Sequence, residues 1–146
     1  MYRVGRLGLV KSEKKAAKIY RRAVELGNVH AMAFLGEMYE TGSGVKLDKK
    51  KARRLFRAAA DRGDAISQNN VGFLLYSEKK LEEAFRYYAL AADQGHTKAE
   101  YNLGICYRGG EGTEVDLGKA RYWLERAAAK GHEKAIKALA RLDAQV

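Results

Sequence analysis

The chain has 146 residues, 47% of them hydrophobic, and its 28 Lys and Arg against 18 Asp and Glu give a net charge of +10. One cysteine excludes a framework of intrachain disulfides, and the sequence contains no run of 18 apolar residues and no apolar signal core after Met1. We therefore expect a soluble cytoplasmic protein, with the nucleus as the alternative compartment, that does not insert into a membrane.

Helices are expected over most of residues 12–144, with no strand, since no proline interrupts them. Apolar residues recur at helical spacing along the chain, as Ala31, Leu35 and Met38 do. Glycine marks the ends of the helices, where a left-handed cap is least costly for this residue. In chain order, the predicted breaks lie at Gly27, 41–47, Gly63, 77–80, Gly95, 108–115 and Gly131.

A second set of glycines lies inside predicted helices and repeats with the first. Each follows Leu or Val, at Gly36, Gly72 and Gly104, nine residues after a capping glycine. Glycine within a helix costs about 1 kcal/mol relative to alanine, so a compensating benefit is required. We predict that these glycines allow two helices to approach closely. Such self-similarity indicates an array of helical hairpins.

The repeated pattern A-x-x-x-L-G-x-x-Y, a glycine-containing loop and K-A-x-x-[LYW]-[FYL]-x-x-A-A-x-x-G resembles the Sel-one-like repeats of the tetratricopeptide-like superfamily. The resemblance implies an all-α fold, a right-handed α-solenoid of about three and a half to four helix-turn-helix repeats. It divides the single array into a repeat remnant at 1–28, repeats at 29–64, 65–96 and 97–132, and a terminal half-repeat at 133–146.

No arrangement of residues indicates catalysis or a metal site. His30, His96 and His132 lie at or near helix junctions, which is typical of capping, and no Cys or His pair has zinc-ligand spacing. Cys106 is at an apolar helix position and is interpreted as a buried structural thiol. The run 109–112 lacks the Gly-Lys-Ser/Thr ending of a phosphate loop. We expect no enzyme activity, no cofactor and no small-molecule substrate.

Function should then reside on a surface. In this superfamily the first helix of each hairpin lines a concave groove, which implies an exposed aromatic set that suits a peptide or protein partner. The alternative is that some of these side chains pack against neighbouring helices. Mapped onto this sequence, the candidate binding residues are Glu37, Glu40, Asn69, Phe73, Tyr76, Tyr101, Ile105 and Arg108.

Two further sets of residues recur between repeats. Asn70 directly precedes the Val-Gly pair of its repeat, and Asn102 directly precedes the Leu-Gly pair of the next repeat. We expect both asparagines to hydrogen-bond backbone between hairpins, with ligand contact as the alternative. Large aromatic residues follow the same repeat and are expected in the core between hairpins. These are Tyr20, Phe56, Tyr88 and, one position earlier in its repeat, Trp123.

Basic residues concentrate on the second helices near the N-terminus. They suit an acidic partner or nonspecific RNA, but no aromatic residues interleave at stacking spacing, which favours a solvated helix face. The predicted function is a non-catalytic interaction scaffold or adaptor, and the alternative is a basic helical-repeat module that binds nucleic acid. The set comprises Lys14, Lys15, Lys18, Arg21, Arg22, Lys49, Lys50, Lys51, Arg53, Arg54 and Arg57.

Overall fold

Eight α-helices and no strand make up the part of the chain that the computed structural model describes, which is the backbone of residues 2–144 and the side chains of 11–144. This confirms the predicted all-α repeat array. The helices are α1 (Tyr2–Glu25), α2 (Val29–Thr41), α3 (Lys49–Asp61), α4 (Ala65–Ser77), α5 (Leu81–Asp93), α6 (Thr97–Gly109), α7 (Leu117–Ala129) and α8 (Glu133–Ala144).

The helices belong to two compact units, one ending at Ser67 and the other beginning at Gln68. In the first unit α2 packs against both α1 and α3. In the second unit α5 packs on α6, α6 on α7, and α7 on α8. Helix α1 is continuous from Tyr2 to Glu25, so the predicted repeat remnant at 1–28 contributes one helix and not a hairpin.

Helix ends are formed by short polar caps and by glycine. The Asn28 side chain accepts a hydrogen bond from the Ala31 amide at 2.9 Å, and Asp48 and Asp116 cap α3 and α7 in the same way. Each of these bonds satisfies an amide that has no partner within its own helix. As predicted, the glycines that follow α1, α3, α5 and α7 have positive φ, between +83° and +97°.

Close packing explains the glycines inside the helices. A Cβ at Gly72 would lie 2.8 Å from ring carbons of Tyr88, and one at Gly104 would lie 2.8 Å from Leu124 Cγ. At Gly36 the corresponding distance to the Phe56 ring is 3.1 Å. The predicted close approach of paired helices is therefore confirmed.

The aromatic set is only partly in the core. Phe56 and Tyr88 are buried, as predicted, whereas Tyr20 and Trp123 are half-buried. In the third hairpin, formed by α6 and α7, the side chain that faces the helical glycine Gly104 is Leu124, the residue after Trp123. Trp123 instead packs edge-on against Tyr122, with ring centroids 5.0 Å apart.

Two loops are longer than the others, 42–48 between α2 and α3 and 110–116 between α6 and α7, and each packs closely against an earlier helix in its own unit. A Cβ at Gly44 would overlap the Glu13 carbonyl oxygen, and one at Gly112 would overlap the carbonyl oxygen of Leu81. Both glycines also have positive φ. Glycine is therefore required twice over at these positions, by the space available and by the backbone conformation.

One buried charge links the two helices of the third hairpin. Glu100 is fully buried, and its carboxylate accepts hydrogen bonds from Arg126 Nε at 3.1 Å and from Lys130 Nζ at 2.8 Å. The preceding hairpin has an uncharged pair at the matching repeat positions, since Gln94 Nε2 donates to Gln68 Oε1 at 2.9 Å. The same contact between the two helices of a hairpin is therefore an ion pair in one repeat and a hydrogen bond between amides in the preceding repeat.

Candidate functional site

A pocket of about 540 Å3 lies in the second unit, where α4, α6 and the start of α8 meet. It combines aromatic surface with amide and charged side chains. We call it the α4–α6–α8 pocket. It is lined by Asn69, Asn70, Phe73, Lys98, Tyr101, Asn102, His132, Glu133 and Lys134.

Repetition and helical spacing together bring these residues to one place. Residues three and four apart share one face of an α-helix, so Lys98, Tyr101 and Asn102 share a face of α6. Lys98 and Lys134 occupy the same position in successive repeats, 36 residues apart. The pocket therefore combines equivalent positions from consecutive first helices.

Two amide side chains pair across the pocket. Asn102 Nδ2 donates a hydrogen bond to Asn69 Oδ1 at 2.9 Å, and Asn69 is only 6% exposed. The sequence pattern predicts a bond from Asn102 to backbone between hairpins, whereas the observed bond is to a side chain, because α4 and α6 bring two asparagines face to face. Asn70 lines the pocket and is half-buried, and ligand contact by this residue stays a prediction.

Aromatic surface covers two sides of the pocket. Phe73 is 61% exposed on α4, whose Val71 and Leu75 are buried on another side. Tyr101 is half-buried and stacks on the His132 ring, with centroids 4.8 Å apart and planes at 27°. An exposed phenylalanine beside a stacked aromatic pair offers a partner apolar area that would otherwise stay in water.

His132 has the capping role that its position predicts. Its Nδ1 accepts a hydrogen bond from the Ala135 amide at 3.2 Å, which leaves the Nε2–H of the neutral ring as a donor. Burial lowers the pKa of His132 below its usual value, and the positive charges of Lys134 and Lys98 lower it further. The ring is therefore neutral at pH 7, in a region of positive potential.

The structure places three of the predicted binding residues at this pocket, Asn69, Phe73 and Tyr101. Tyr76 is on the same helix as Phe73, but its hydroxyl donates to the Glu111 carboxylate in the loop after α6. This hydrogen bond, followed by burial, raises the pKa of Tyr76 to about 12. Its hydroxyl therefore anchors a loop, in line with the alternative that some predicted groove residues pack internally.

The other predicted binding residues lie away from the pocket lining. Ile105 packs against a buried cluster that includes Leu124, and Arg108 is half-buried near the end of α6. Glu37 and Glu40 are exposed on α2, in the first unit. A binding role for these four residues stays a prediction.

Sequence reasoning missed Lys98, Glu133 and Lys134 as pocket residues, although the structure places all three in the lining. The signal was present in the identical repeat position of the two lysines. The predicted groove residues lie within five residues of a helical glycine, whereas Lys98 lies six residues before Gly104.

The described residues contain no cluster suited to a metal ion, and Cys106 is a buried thiol. Among residues 11–144 no group of three or more His, Cys, Asp or Glu side chains is arranged to hold a metal ion. Cys106 is buried, and burial raises the pKa of its thiol to about 12, so it is protonated at pH 7. In the same part of the chain, no helix has the length and apolar character needed to cross a membrane.

Comparison with known proteins agrees with this architecture. A Sel1 repeat protein from Oxalobacter formigenes has a crystal structure similar to this one, with a TM-score of 0.78 at 32% identity, covering 85% of this chain and 96% of that one. The chitin synthase regulator SKT5 of Saccharomyces cerevisiae is 32% identical over 138 residues, which is 90% of this chain and 20% of the yeast protein. The DAP3-binding cell death enhancer 1 of Rattus norvegicus is 36% identical over 96 residues, 64% of this chain and 19% of the rat protein.

This chain spans about a fifth of the length of these two curated relatives. The sequence model of the Sel1 repeat matches residues 1–28, 29–64, 65–96 and 97–132, which together make up most of the chain. On this match, and on the repeated helical hairpins described above, the chain belongs to the Sel1 repeat family.

Proposed function

We propose that this chain is a non-catalytic interaction scaffold that binds a peptide or protein segment at the α4–α6–α8 pocket. The observation that carries this proposal is Phe73, which is 61% exposed at the edge of the pocket. Unlike the other exposed apolar side chains of the second unit, Phe73 lines this cavity, where a bound partner would remove its ring from water. Tyr101 supplies the second aromatic contact, held in place by its stacking on His132.

The amide side chains fit the same occupant. An extended peptide has unpaired backbone N–H and C=O groups that need hydrogen-bond partners when they leave water. Asn70 and Asn102 line the pocket and are half-buried, so both are close enough to the surface to reach a bound chain. An amide can donate to a peptide carbonyl and accept from a peptide N–H, without selecting a sequence.

The comparisons support an interaction role. The names of two relatives, a chitin synthase regulator and a DAP3-binding protein, describe a regulatory role and a binding role. We take from them only the general role for this chain, that of a module that contacts another protein.

Alanine at the two aromatic positions tests the proposal. Random peptides displayed on phage are selected against the chain, resynthesised, and measured by fluorescence polarisation. We expect Phe73→Ala and Tyr101→Ala each to weaken binding about thirtyfold, because truncating a central aromatic contact typically costs about 2 kcal/mol. Circular dichroism and the urea midpoint establish that each variant is folded.

Leu90→Ala is the matched control, since Leu90 is another large exposed side chain of the same unit, 50% exposed on α5, and does not line the pocket. It should leave the affinity unchanged. Selection of no peptide, or normal binding by both folded aromatic variants, would show that the pocket is not a peptide site.

The basic residues of the first unit favour a second candidate function, nucleic-acid binding. All eleven cations of the set defined above are exposed on α1 and α3. Their number is sufficient for electrostatic attraction to a phosphate backbone. Two aromatic residues lie among these cations, but Tyr20 is half-buried and stacked on Phe34, and Phe56 is buried. This counts against a single-stranded ligand, because bases need exposed stacking partners.

A salt titration separates the two functions. Each phosphate contact contributes about 0.7–0.9 to the slope of log affinity against log salt concentration. We expect negligible binding of a mixed-sequence RNA at physiological salt, and no change of slope when Lys14, Lys15, Lys18, Arg21 and Arg22 are all replaced by glutamine. Submicromolar RNA binding that is lost in this variant would make nucleic-acid binding the preferred function.

A further inference from the structure

Two ammonium groups give the α4–α6–α8 pocket a chemical preference. Lys98 on α6 and Lys134 on α8 are both exposed and both line the pocket, together with a single acidic residue, Glu133. Because His132 is neutral, the lining has one more positive than negative charge. A bound group with one negative charge would neutralise this excess positive charge, and it would not have to displace any of the contacts described above.

The same two lysines act on His132, which shares the pocket lining with them. Burial is the main cause of its lowered pKa, and the charges of Lys134 from the following helix and Lys98 from α6 lower this pKa further. Glu133 is adjacent in sequence, and Tyr101 contributes a stacked, uncharged ring. The space beside His132 therefore disfavours a further cation and favours an anion.

The arrangement of aromatic and basic groups also restricts the ligand. Phe73 is on α4, whereas the two lysines are on α6 and α8. A ligand that uses both must present an apolar group and an acidic group at separate points, as two side chains of one extended segment do. Alternate residues of such a segment project to the same side, about 7 Å apart.

We propose that the α4–α6–α8 pocket binds an acidic peptide segment, with a side-chain carboxylate between Lys98 and Lys134 and a neighbouring apolar side chain against Phe73. This inference rests on the proposed function and adds the chemical class of the partner. The Nε2–H of neutral His132 is the third donor available to the carboxylate. The amides of Asn70 and Asn102 serve the peptide backbone between the two side chains.

The test uses a panel of short synthetic peptides, acetylated and amidated at their ends, in which glutamate follows phenylalanine by one to four residues. Each has a counterpart with glutamine in place of glutamate, and one peptide has phenylalanine and no glutamate but a free C-terminal carboxylate. Binding is measured by chemical-shift titration of the amides of Tyr101, Asn102 and His132. We expect the best glutamate peptide to bind about tenfold more tightly than its glutamine counterpart, since each partly exposed ion pair contributes up to about fivefold.

The preference should depend on the two lysines. In Lys98→Met/Lys134→Met, which keeps the apolar stems, the glutamate and glutamine peptides should bind equally. The matched control Lys80→Met/Lys137→Met removes two exposed lysines that do not line the pocket, and it should retain the preference. The imidazole pKa of His132 should rise when the glutamate peptide binds, because a nearby carboxylate stabilises the protonated ring, and should stay unchanged with glutamine.

Each alternative outcome has a distinct meaning. Equal binding of the glutamate and glutamine peptides would overturn the acidic preference and leave the proposed function intact. Tightest binding by the peptide with the free C-terminal carboxylate would overturn the choice of an internal acidic side chain. No shift at Tyr101, Asn102 or His132 with any peptide would overturn both proposals.

Discussion

Replacing Gly72 with leucine should destabilise the chain by about 1–3 kcal/mol, even though leucine is the better helix former. A Cβ at this position would lie 2.8 Å from the Tyr88 ring and 3.4 Å from the carbonyl oxygen of Ala84, both on α5. Tyr88 is only 3% exposed and cannot turn into solvent, so α4 and α5 would have to move apart. Urea unfolding monitored by circular dichroism measures the change in the free energy of unfolding.

Graded alanine substitutions provide the controls. Gly36→Ala should cost less than Gly72→Ala, because the nearest ring carbon to the new Cβ lies at 3.1 Å instead of 2.8 Å. Gly118→Ala should stabilise the chain by about 0.5–1 kcal/mol, since Gly118 is exposed in α7 and only the Asp116 side chain is near. An unchanged or raised urea midpoint for Gly72→Leu would contradict the role assigned to close helix packing.

The helices could be predicted from the sequence because their boundaries depend on backbone requirements that few residues meet. A left-handed cap after each second helix needs glycine, and Gly95 and Gly131 have it at the expected places. The close approach of paired helices requires the absence of a side chain, which Gly72 and Gly104 show directly. Both requirements make glycine recur at regular spacing in the sequence, and this spacing can be recognised without knowing the side-chain contacts.

The site could be predicted only in part, because it depends on which side chains find partners. Phe73 and Tyr76 are three residues apart on one helix, yet the first is exposed and the hydroxyl of the second is bonded to Glu111. That bond exists because a longer loop follows α6 and carries a carboxylate to Tyr76. Helical spacing predicts which face of the helix a residue is on, but it does not predict which loop residue will contact its side chain.

The burial of Glu100 was equally hidden from the sequence. A glutamate beside Lys98 in a strongly charged chain has the pattern of a solvated face, and charged residues are rarely buried without partners. Its partners are 26 and 30 residues away, Arg126 on α7 and Lys130 directly after the end of that helix. They become recognisable only when Glu100 and Lys130 are aligned with Gln68 and Gln94 in the preceding hairpin.

Replacing Lys130 with glutamine should destabilise the chain by about 1–2 kcal/mol, because a fully buried carboxylate loses one of its two charged partners while Arg126 remains. The value is below that for complete loss of a buried pair, since the Lys130 side chain is 39% exposed and partly screened by solvent. Lys130 Nζ also donates to the Gly95 carbonyl oxygen at 2.7 Å, and glutamine would lose this bond as well.

Glu100→Gln/Lys130→Gln should recover part of this loss, because it recreates the amide pair that Gln68 and Gln94 form in the preceding hairpin. Urea unfolding of the wild type, both single variants and the double variant closes a thermodynamic cycle. We expect a coupling energy of about 1 kcal/mol or more, as residues in direct contact typically give. The surface pair Arg121 and Asp143, with side chains 37% and 60% exposed, is the matched control and should couple by less than about 0.5 kcal/mol. Equal coupling in the two cycles would mean that the contact between positions 100 and 130 contributes no more than a surface ion pair, despite the burial of Glu100.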